Sequence, residues 1–346
     1  MSAWLAGSLV TAVSLAAIDT AAPPGVPAPQ IQPVGPQLPP PALPGSAAAD
    51  SADAALFASP TRLDHIGRIV APVMINGRGP FRFIVDTGAT HSTISPALAA
   101  RLGLQPNAEA SVQVNGITGT ARVPGVTVAK LQAGDLSIED TNFPVVWAPL
   151  MAGADGILGA AGLQSQRLLV DFRHNRVVIY RASRRSTPSG FMRVPARRLG
   201  AGLVTVEAVV GGVPVRAVID TGSERSLGNL ALLEALRARH PHSSERRQLA
   251  NVYGATMEVV SGDAQMAPTI VIDALRITDA TLVYGDFHIF KVWDMQDKPA
   301  LIIGMDILGT VDALTIDFHH ADVFFASAAL RNAARERDGW KVIGAQ

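Results

Sequence analysis

An internal repeat constrains the fold of this sequence more than any other feature. Each copy begins with an apolar run that ends in Asp-Thr-Gly, within FRFIVDTGATHS at residues 81–92 and VRAVIDTGSERS at residues 215–226. An apolar pair closed by glycine follows in each copy, within DGILG at residues 155–159 and LIIG at residues 301–304. The same landmarks in the same order predict two similarly folded halves in one chain.

A third landmark and the spacing of all three support the repeat. A strand-like segment with an Asp comes last in each copy, LLVDFRHNRVVIY at residues 168–180 and LTIDFHHADVFFA at residues 314–326. From the motif Asp to the closing glycine there are 73 residues in the first copy (159 minus 86) and 84 in the second (304 minus 220). From that glycine to the next Asp there are 12 (171 minus 159) and 13 (317 minus 304). Spacings this similar indicate one structural unit used twice.

Short β-branched and apolar runs between turn residues predict a mostly β chain. Segments such as VRAVI, TIVI and RVVIY are bounded by Gly, Pro, Asn and Asp, as strands joined by hairpins are. A helix is predicted after each Asp-Thr-Gly. Ser95 caps the first helix, Pro96 fits its first turn and Gly103 ends it. The second helix is predicted at residues 229–240, with Asn229 as its cap.

The Asp-Thr-Gly loops combine a carboxylate with a backbone that can turn tightly. Asp86 and Asp220 each follow an apolar strand, where water is scarce and ionisation depends on the neighbouring groups. Glycine two residues later allows a tight loop without a side chain in the way. If a pseudo-two-fold axis relates the two copies, Asp86 and Asp220 meet across it.

On these residues the chain resembles a retropepsin-like aspartic protease of the pepsin clan, with two lobes fused in one chain. The resemblance rests on VDTGA at residues 85–89, IDTGS at residues 219–223 and the two apolar-Gly segments, and it covers about residues 65–327. It implies an all-β, bilobal acid-protease barrel fold with pseudo-two-fold symmetry. It also implies a peptide or protein substrate and neither cofactor nor metal. Because one chain carries both lobes, a monomer is expected to be active.

The resemblance gives each motif residue a role. Asp86 and Asp220 are the implied catalytic pair, which shares one proton, as aspartic proteases in general do, and activates a water that attacks the peptide carbonyl. The supporting residues of the two loops are Thr87, Gly88, Ala89, Thr221, Gly222 and Ser223. The apolar-Gly supports are Ile157, Leu158, Gly159, Ile302, Ile303 and Gly304. Each threonine is implied to bind the opposite loop, and the assignment of acid and base within the pair stays open.

The two loops differ directly after the glycine. Ser223 offers a hydroxyl where the first copy has Ala89, and our hypothesis is that this hydroxyl favours the charged form of Asp220. Glu224 follows, and it is expected either to pair with an arginine such as Arg225 or to lie solvated on the loop.

Each copy also has a candidate flap, the β-hairpin that covers the substrate in this family. SVQVNGITGTARV at residues 111–123 and LANVYGATMEVV at residues 249–260 have the turn glycines of hairpins. The candidate flap residues are Asn115, Gly116, Gly119, Tyr253 and Gly254, with Gly254 aligned on Gly119. Tyr253 is expected either to reach toward substrate or to be an ordinary half-buried strand aromatic.

Composition argues against several other functions. Lys plus Arg and Asp plus Glu both number 29, so the formal net charge is zero and no nucleic-acid partner is indicated. The chain has no cysteine, which excludes disulfides, thiolate zinc sites and a cysteine nucleophile. DFHHAD at residues 317–322 resembles a metal site, but the equivalent DFRHNR of the first copy favours a hairpin turn. His91, beside the first motif, is predicted to face solvent.

The chain is predicted to have six segments. They are a signal-like apolar segment (1–21), a proline-rich linker (22–50), an N-terminal protease lobe (51–182), an inter-lobe linker (183–190), a C-terminal protease lobe (191–328) and a tail (329–346). The apolar run at residues 4–17 has about the length of a signal peptide but lacks a basic start, since the first basic residue is Arg62. We expect export to a periplasm or outside the cell. An uncleaved membrane anchor and an apolar start without function are the alternatives.

Three functions fit these features. The first is an endopeptidase that binds an extended peptide between two lobes. The second is a non-catalytic peptide-binding protein that keeps the fold, which the intact motifs in both copies argue against. The third is a protease dedicated to one partner, active after processing itself in the proline-rich linker.

Overall fold

The computed structural model describes the chain in thirteen ranges. They are residues 10–13, 17–18, 28–33, 55–60, 62–63, 67–133, 136–146, 151, 153–182, 187–188, 191–200, 202–241 and 247–327. The predicted tail at residues 329–346 and most of the predicted inter-lobe linker lie outside them. The predicted segment boundaries stay predictions.

Four short strands come before the first lobe in the chain. They are β1 (Val10–Val13), β2 (Ala17–Ile18), β3 (Gln30–Pro33) and β4 (Ala55–Pro60).

The first lobe is a sheet built around the first Asp-Thr-Gly. Its strands are β5 (Arg62–Leu63), β6 (Ile69–Ile75), β7 (Arg78–Asp86), β8 (Thr93–Ile94), β9 (Asn107–Gly116), β10 (Thr120–Ala133), β11 (Leu136–Pro144) and β12 (Gly156–Gly159). The sheet order is β1-β9-β10-β6-β7-β12-β8, with β11 beside β10 and β5 beside β6. Helix α1 (Pro96–Leu102) begins after Ser95, whose hydroxyl accepts a hydrogen bond from Leu98 N, and it ends at Gly103 in the left-handed region. The predicted first helix is therefore confirmed.

The second lobe repeats this plan around the second Asp-Thr-Gly. Its strands are β16 (Leu203–Val210), β17 (Val213–Ile219), β18 (Leu227–Asn229), β19 (Gln248–Tyr253), β20 (Val259–Met266), β21 (Ile270–Ile272), β22 (Leu275–Thr278), β23 (Thr281–Gly285) and β24 (Ala300–Ile303). Its helices are α2 (Leu230–Arg239), α3 (His288–Val292) and α4 (Met305–Leu308). Asn229 caps α2 by accepting a hydrogen bond from Leu232 N, as predicted.

A third sheet joins the two lobes and contains the last landmark of each repeat. Its strands are β4, β13 (Gln166–Asp171), β14 (Arg176–Arg181), β15 (Met192–Leu199), β25 (Ala313–Asp317) and β26 (Asp322–Ala326). They lie in the order β4-β14-β13-β25-β26-β15. The central pair, β13 with β25, is antiparallel and comes from the two copies of the repeat. This pairing makes the two lobes one continuous structure.

The DFHHAD segment forms the turn between β25 and β26, as the hairpin interpretation predicted. The carboxylate of Asp317 accepts from Arg167 at 2.8 Å and contacts His320 Nδ1 at 2.9 Å. Asp322 pairs with Arg193 at 2.7 Å. The first copy repeats the contact, since Asp171 lies 2.9 Å from His174 Nδ1. Both Asp side chains of the segment are thus engaged by arginines of the joining sheet.

Two features of the fold differ from expectation. The sheets of the described residues are open, so the barrel implied by the resemblance is not formed, although the all-β bilobal class is confirmed. The proline-rich segment is also more than a linker. Its strand β3 pairs antiparallel with β22, and Ile31 packs against the main hydrophobic core. An aliphatic residue among prolines suffices here because β3 adds to an edge of a sheet that already exists.

The described part of the chain has no helix long and apolar enough to cross a membrane.

Candidate active site

The sheets of both lobes deliver an Asp to the same place. Strand β7 ends at Asp86, and β17 ends at Ile219, directly before Asp220. In each lobe the apolar-Gly strand runs parallel beside it, with Gly159 paired to Asp86 and Ile303 paired to Ile219. The predicted supports therefore lie next to the loops they were expected to hold. Asp86 and Asp220 are both fully buried.

The glycines of the two motifs make room for the opposite carboxyl group. A Cβ placed on Gly88 would lie 2.4 Å from Cγ of Asp220, and one on Gly222 would lie 2.2 Å from Cγ of Asp86. Real Cβ atoms do not approach this closely, and the contacts are reciprocal across the axis. Glycine is needed here mainly because a carboxyl occupies the space, a more specific reason than the tight turn inferred from the sequence.

The two threonines join the loops through hydrogen bonds in both directions. Thr87 Oγ1 donates to the carbonyl of Ile219 at 2.7 Å, and Thr221 Oγ1 donates to the carbonyl of Val85 at 2.6 Å. Each hydroxyl also accepts from the backbone N–H of the other threonine, at 3.2 and 3.1 Å. All of these groups are buried. The loops are thereby fixed relative to each other as well as to their own lobes.

The electrostatics of Asp86 follow from its surroundings. Its Oδ1 accepts hydrogen bonds from the N–H groups of Gly88 and Ala89, both at 2.9 Å. Its Oδ2 is buried and receives no hydrogen bond from a donor of the described residues. Burial, and then the neighbouring carboxyl of Asp220, hold the pKa of Asp86 well above its usual value, while the two N–H bonds act in the opposite direction. Asp86 therefore keeps a proton at pH values where an exposed carboxyl is ionised.

This pair of buried carboxyls, each against the other loop's glycine, agrees with the result of a family comparison. The family model described as "Aspartyl protease" matches residues 71–161 and residues 206–307, one stretch in each lobe. The chain belongs to the aspartyl protease family. No curated protein matches it.

The backbone around the two Asp loops of this aspartyl protease is held in the same way in both lobes. The equivalent hydrogen bonds are Ala160 N to Ala89 O (2.8 Å) with Met305 N to Ser223 O (2.8 Å), and Ala161 N to Thr90 O (2.9 Å) with Asp306 N to Glu224 O (3.1 Å). The serine that ends each motif stretch accepts from the closing glycine, Gly159 N to Ser92 Oγ at 3.2 Å and Gly304 N to Ser226 Oγ at 3.0 Å. The repeat seen in the sequence is thus a repeat of hydrogen bonds.

The hypothesis on Ser223 is wrong in its mechanism. The Ser223 hydroxyl donates to the carbonyl of Arg225 at 2.7 Å, so its proton is not directed at Asp220. Asp220 Oδ1 instead accepts from the backbone N–H groups of Gly222 at 2.8 Å and Ser223 at 3.2 Å. Ala89 supplies the same backbone donor to Asp86, so serine and alanine are equivalent in this respect. The expected ion pair is present, with Glu224 3.7 Å from Arg225 Nε.

Sequence reasoning missed Asp306, a second carboxyl near the Asp220 loop. Its side chain accepts from Ser226 Oγ at 2.7 Å and from Ser226 N at 3.1 Å. Burial raises the pKa of Asp306 to about 6, against the opposing effect of the Ser226 hydrogen bonds and of Arg225. The equivalent residue of the first lobe is Ala161. The signal that could have found Asp306 is this difference two residues after the closing glycine.

Both predicted flap hairpins are present, but their alignment needs correction. Strands β9 and β10 pair antiparallel, as do β19 and β20. The tips contact each other, and Thr118 Oγ1 lies 3.3 Å from Thr256 Oγ1. A Cβ on Gly116 would meet Thr256, and one on Gly254 would meet Thr118. Gly254 is therefore the counterpart of Gly116, rather than of Gly119, with a constant offset of 138 residues (254 minus 116, 256 minus 118).

Each flap tip packs into the opposite lobe. Ile117, at the tip of the first flap, belongs to the apolar cluster of Val252 and Ile289 in the second lobe. Ala255, at the tip of the second flap, belongs to the apolar cluster that includes Ala89 of the first lobe. Gly119, beside the first tip, lies against the side chain of Glu258. The two flaps therefore interlock over the axis that relates the Asp loops.

The second lobe holds the first flap in place through polar contacts. His288, the first residue of α3, contacts Thr120 Oγ1 at 2.8 Å and Asn115 Oδ1 at 3.4 Å. Asn115 is buried near the end of β9, not in the turn where the hairpin signal placed it. The sequence carried no sign of His288, because it meets Thr120 across 168 residues.

Two further predicted residues can be placed. Tyr253 ends β19 with a half-buried side chain. His91, predicted to face solvent, is half-buried, and burial lowers the pKa of its imidazole.

Proposed function

We propose that this aspartyl protease is an active endopeptidase that hydrolyses peptide bonds with water activated by Asp86 and Asp220. The observation that carries the proposal is the reciprocal contact of each carboxyl with the opposite motif glycine. Two carboxyls held side by side in a buried site cannot both be charged readily, so they share one proton. One is then a base and the other an acid at the same pH.

The reaction follows from that shared proton. The ionised carboxyl takes a proton from water, whose oxygen attacks the carbonyl carbon of the peptide. The protonated carboxyl donates to the carbonyl oxygen as negative charge develops there. Breaking the carbon–nitrogen bond releases an amine, which takes up a proton, and a carboxylic acid. The shared proton belongs to the pair as a whole, so the roles of acid and base are not assigned to Asp86 and Asp220 individually.

The remaining residues keep the pair in this arrangement. Thr87 and Thr221 fix the loops across the axis, and the backbone donors of the loops hold one oxygen of each carboxyl. A fixed geometry lowers the barrier because the reacting groups need not be reorganised during the step.

The test uses single Asp86→Asn and Asp220→Asn variants assayed on a mixed peptide library. We expect each variant to lose cleavage by at least about 1,000-fold, since neither carboxyl alone can be acid and base. Asp279→Asn, in the half-buried bend between β22 and β23 and outside the two Asp loops, is the matched control. Full cleavage by either dyad variant would rule out the paired mechanism.

The alternative is a peptide-binding protein without catalysis. An inert wild-type chain that still binds a statine-type peptide would favour it. A statine hydroxyl mimics the attacking water between two carboxyls, so its binding depends on both Asp86 and Asp220.

We also propose export of the chain, on the basis of the apolar run at residues 4–17. Cell fractionation with antibody detection tests this, and recovery of the full-length chain from the cytoplasm alone would argue against it.

A further inference from the structure

The beginning of helix α3 in the second lobe contacts the first flap at two neighbouring residues. His288 Nε2 lies 2.8 Å from Thr120 Oγ1 and 3.4 Å from Asn115 Oδ1. The next residue, Ile289, donates its backbone N–H to the carbonyl of Ile117 at 3.4 Å. Asn115 and Thr120 are paired across the hairpin directly before its tip. A contact that includes both of them therefore fixes the direction in which the tip points.

The hydrogen bonds of this contact have one consistent set of donors. Asn115 Oδ1 can only accept, so the Thr120 hydroxyl donates to it, at 2.8 Å. Because that hydroxyl has a single proton, His288 Nε2 carries a proton and donates to Thr120. Asn115 is 2% exposed, and hydrogen bonds away from water are stronger than those at the surface. A residue that replaces His288 keeps the contact only if it supplies an N–H at the same place.

An apolar cluster connects the same contact with the support of the second Asp loop. Ile117 of the flap tip and Ile289 of α3 belong to one cluster with Ile302 of strand β24. Strand β24 is the apolar-Gly strand that lies beside the strand leading to Asp220. The first flap is thus held by the lobe that provides Asp220, although it belongs to the lobe that provides Asp86.

The second flap has no equivalent of this contact among the described residues. With the offset of 138 residues, Tyr253 takes the place of Asn115, and its strand partner is Val259 where the first flap has Thr120. A valine side chain forms no hydrogen bond, and Val259 is 50% exposed. The described residues of the first lobe also provide no backbone N–H to the carbonyl of Ala255 at the second tip.

The two flaps therefore differ in how much each loses when it opens. An extended peptide reaches a buried Asp pair only if a flap moves away, and the flap with fewer buried contacts opens at the lower cost. Opening the first flap breaks the hydrogen bonds of His288 and withdraws the fully buried side chain of Ile117 from its cluster. Opening the second flap withdraws only the methyl group of Ala255 at the equivalent position.

We propose that His288 is a positioning residue that fixes the first flap over the cleft, so that the second flap is the one that opens to admit the peptide. The first flap is then a permanent wall of the substrate site, and it needs no ordering when substrate binds. The inference rests on the proposed function, because it names a residue that positions the flap for the proposed reaction.

The first experiment measures flap opening without using activity. Hydrogen exchange is followed on the full 346-residue chain with Asp86→Asn as the parent, which does not depend on cleavage. Peptides covering residues 111–121 report on the first flap, and peptides covering residues 249–260 report on the second. His288→Ala removes the donor, whereas His288→Gln keeps an N–H on a side chain of similar reach.

The expected result is a change in one flap only. In the parent chain the second flap should exchange faster than the first. His288→Ala should accelerate exchange of the first flap about tenfold, as loss of one buried hydrogen bond does, and leave the second flap unchanged. His288→Gln should exchange like the parent.

His240→Ala is the matched control for this measurement. It removes another histidine of the second lobe, one whose Nε2 lies 2.8 Å from the carbonyl of Gly211, and it should leave both flaps unchanged. Equal exchange of the two flaps in the parent chain would overturn the proposal. So would a His288→Ala chain in which both flaps, or neither, are accelerated.

A substitution on the flap side tests the contact independently. Thr120→Val removes the hydroxyl and gives the first flap the residue type that the second flap has at this position, Val259. It should accelerate exchange of the first flap, and the double variant with His288→Ala should match Thr120→Val alone, because both changes remove the same contact. Additive effects would contradict the proposal, since the two residues would then act separately.

The second experiment tests the role of His288 in the reaction, with both Asp residues intact. When the first flap leaves the cleft, the fraction of chains with a complete site falls, and KM rises by the reciprocal of that fraction. We expect His288→Ala to raise KM for a peptide substrate roughly three- to tenfold with kcat changed less than about twofold. His288→Gln should restore the lower KM. An unchanged KM in His288→Ala would refute the positioning role.

Failure of this proposal and failure of the proposed function give different results. Cleavage by every chain with one common KM, together with equal exchange in the two flaps, would refute the role of His288 and leave the endopeptidase standing. Absence of cleavage in every chain, with exchange of the first flap still changed by His288→Ala, would refute the endopeptidase and leave the flap contact standing.

Discussion

The loops that carry Asp86 and Asp220 are held by the same backbone hydrogen bonds. They differ because a further carboxyl, that of Asp306, lies beside the second loop. Each loop is tied to its apolar-Gly segment by the same hydrogen bonds, and each threonine makes the same pair of contacts across the axis. Asp306, however, stands in the second lobe where the first has Ala161, and it binds the serine that ends the motif. The comparison teaches that duplicated main-chain contacts set the position of the Asp pair, while the second lobe adds a titratable carboxyl beside its motif serine where the first lobe has alanine.

Substitution of the motif glycines is expected to have the largest effect, and it tests whether the two Asp loops are equivalent. Gly88→Ala and Gly222→Ala each force a methyl group into the opposite carboxyl, so we expect both to lower kcat/KM by more than about 100-fold. The two losses of kcat/KM should be similar, because the added Cβ would approach the opposite carboxyl almost equally closely in the two variants. Gly162→Ala is the control, since its added Cβ would meet only the end of the flexible Ile138 side chain. An active Gly222→Ala with an inactive Gly88→Ala would break the symmetry.

The threonine contacts give the next largest effect, on stability. Thr87→Val and Thr221→Val each keep the shape of the side chain and remove a buried hydroxyl that donates and accepts. We expect each to lower the free energy of unfolding by roughly 2–3 kcal/mol, measured by urea denaturation. Thr→Ser at either position keeps the hydroxyl and should lose less. A clear difference between the two valine variants would show that one lobe depends on the contact more than the other.

Features that depend on a local pattern repeated in both copies could be predicted from the sequence, whereas features that depend on contacts between distant residues could not. The positions of Asp86 and Asp220, both helix caps and both flaps were readable because each depends on a local pattern repeated twice. The correspondence of Gly254 with Gly116 was missed, because the equivalence is visible only where the two tips touch. Asp306 and His288 were missed because their partners are distant in the chain. The direction of the Ser223 hydroxyl could not be predicted, since a carbonyl two residues away competes for its proton.

The raised pKa of Asp306 predicts a pH dependence of stability. The pKa of Asp306 is raised from 3.8 to about 6, so the folded chain binds a proton that the unfolded chain has released. Stability from this group is present below about pH 4 and is lost as the pH rises to about 6. Asp306→Asn should remove a decrease of roughly 1–3 kcal/mol over that window, since each pKa unit corresponds to about 1.4 kcal/mol. The raised pKa of Asp86 also makes stability fall as the pH rises, so a smaller pH dependence remains in the Asp306→Asn variant.

Urea unfolding at a series of pH values between 4 and 7 measures this effect. Ala161→Asn is the matched control in the first lobe, where no carboxyl titrates at this position, and it should leave the slope unchanged. An Asp306→Asn chain with the wild-type slope would contradict the assignment of the titration to Asp306.

The smallest expected effect is that of Ser223→Ala, and it decides whether the difference between Ser223 and Ala89 matters. The hydroxyl donates to the Arg225 carbonyl, and the N–H that reaches Asp220 is kept in alanine. We therefore expect an unchanged pH profile of kcat/KM and a stability loss of about 1 kcal/mol or less. Ser226→Ala is the informative comparison, because that hydroxyl binds Asp306 and accepts from Gly304. A shift of the acid limb of the profile in Ser223→Ala, without a shift in Ser226→Ala, would contradict this expectation. The two carboxyls of the pair would then differ because of Ser223 and not because of Asp306.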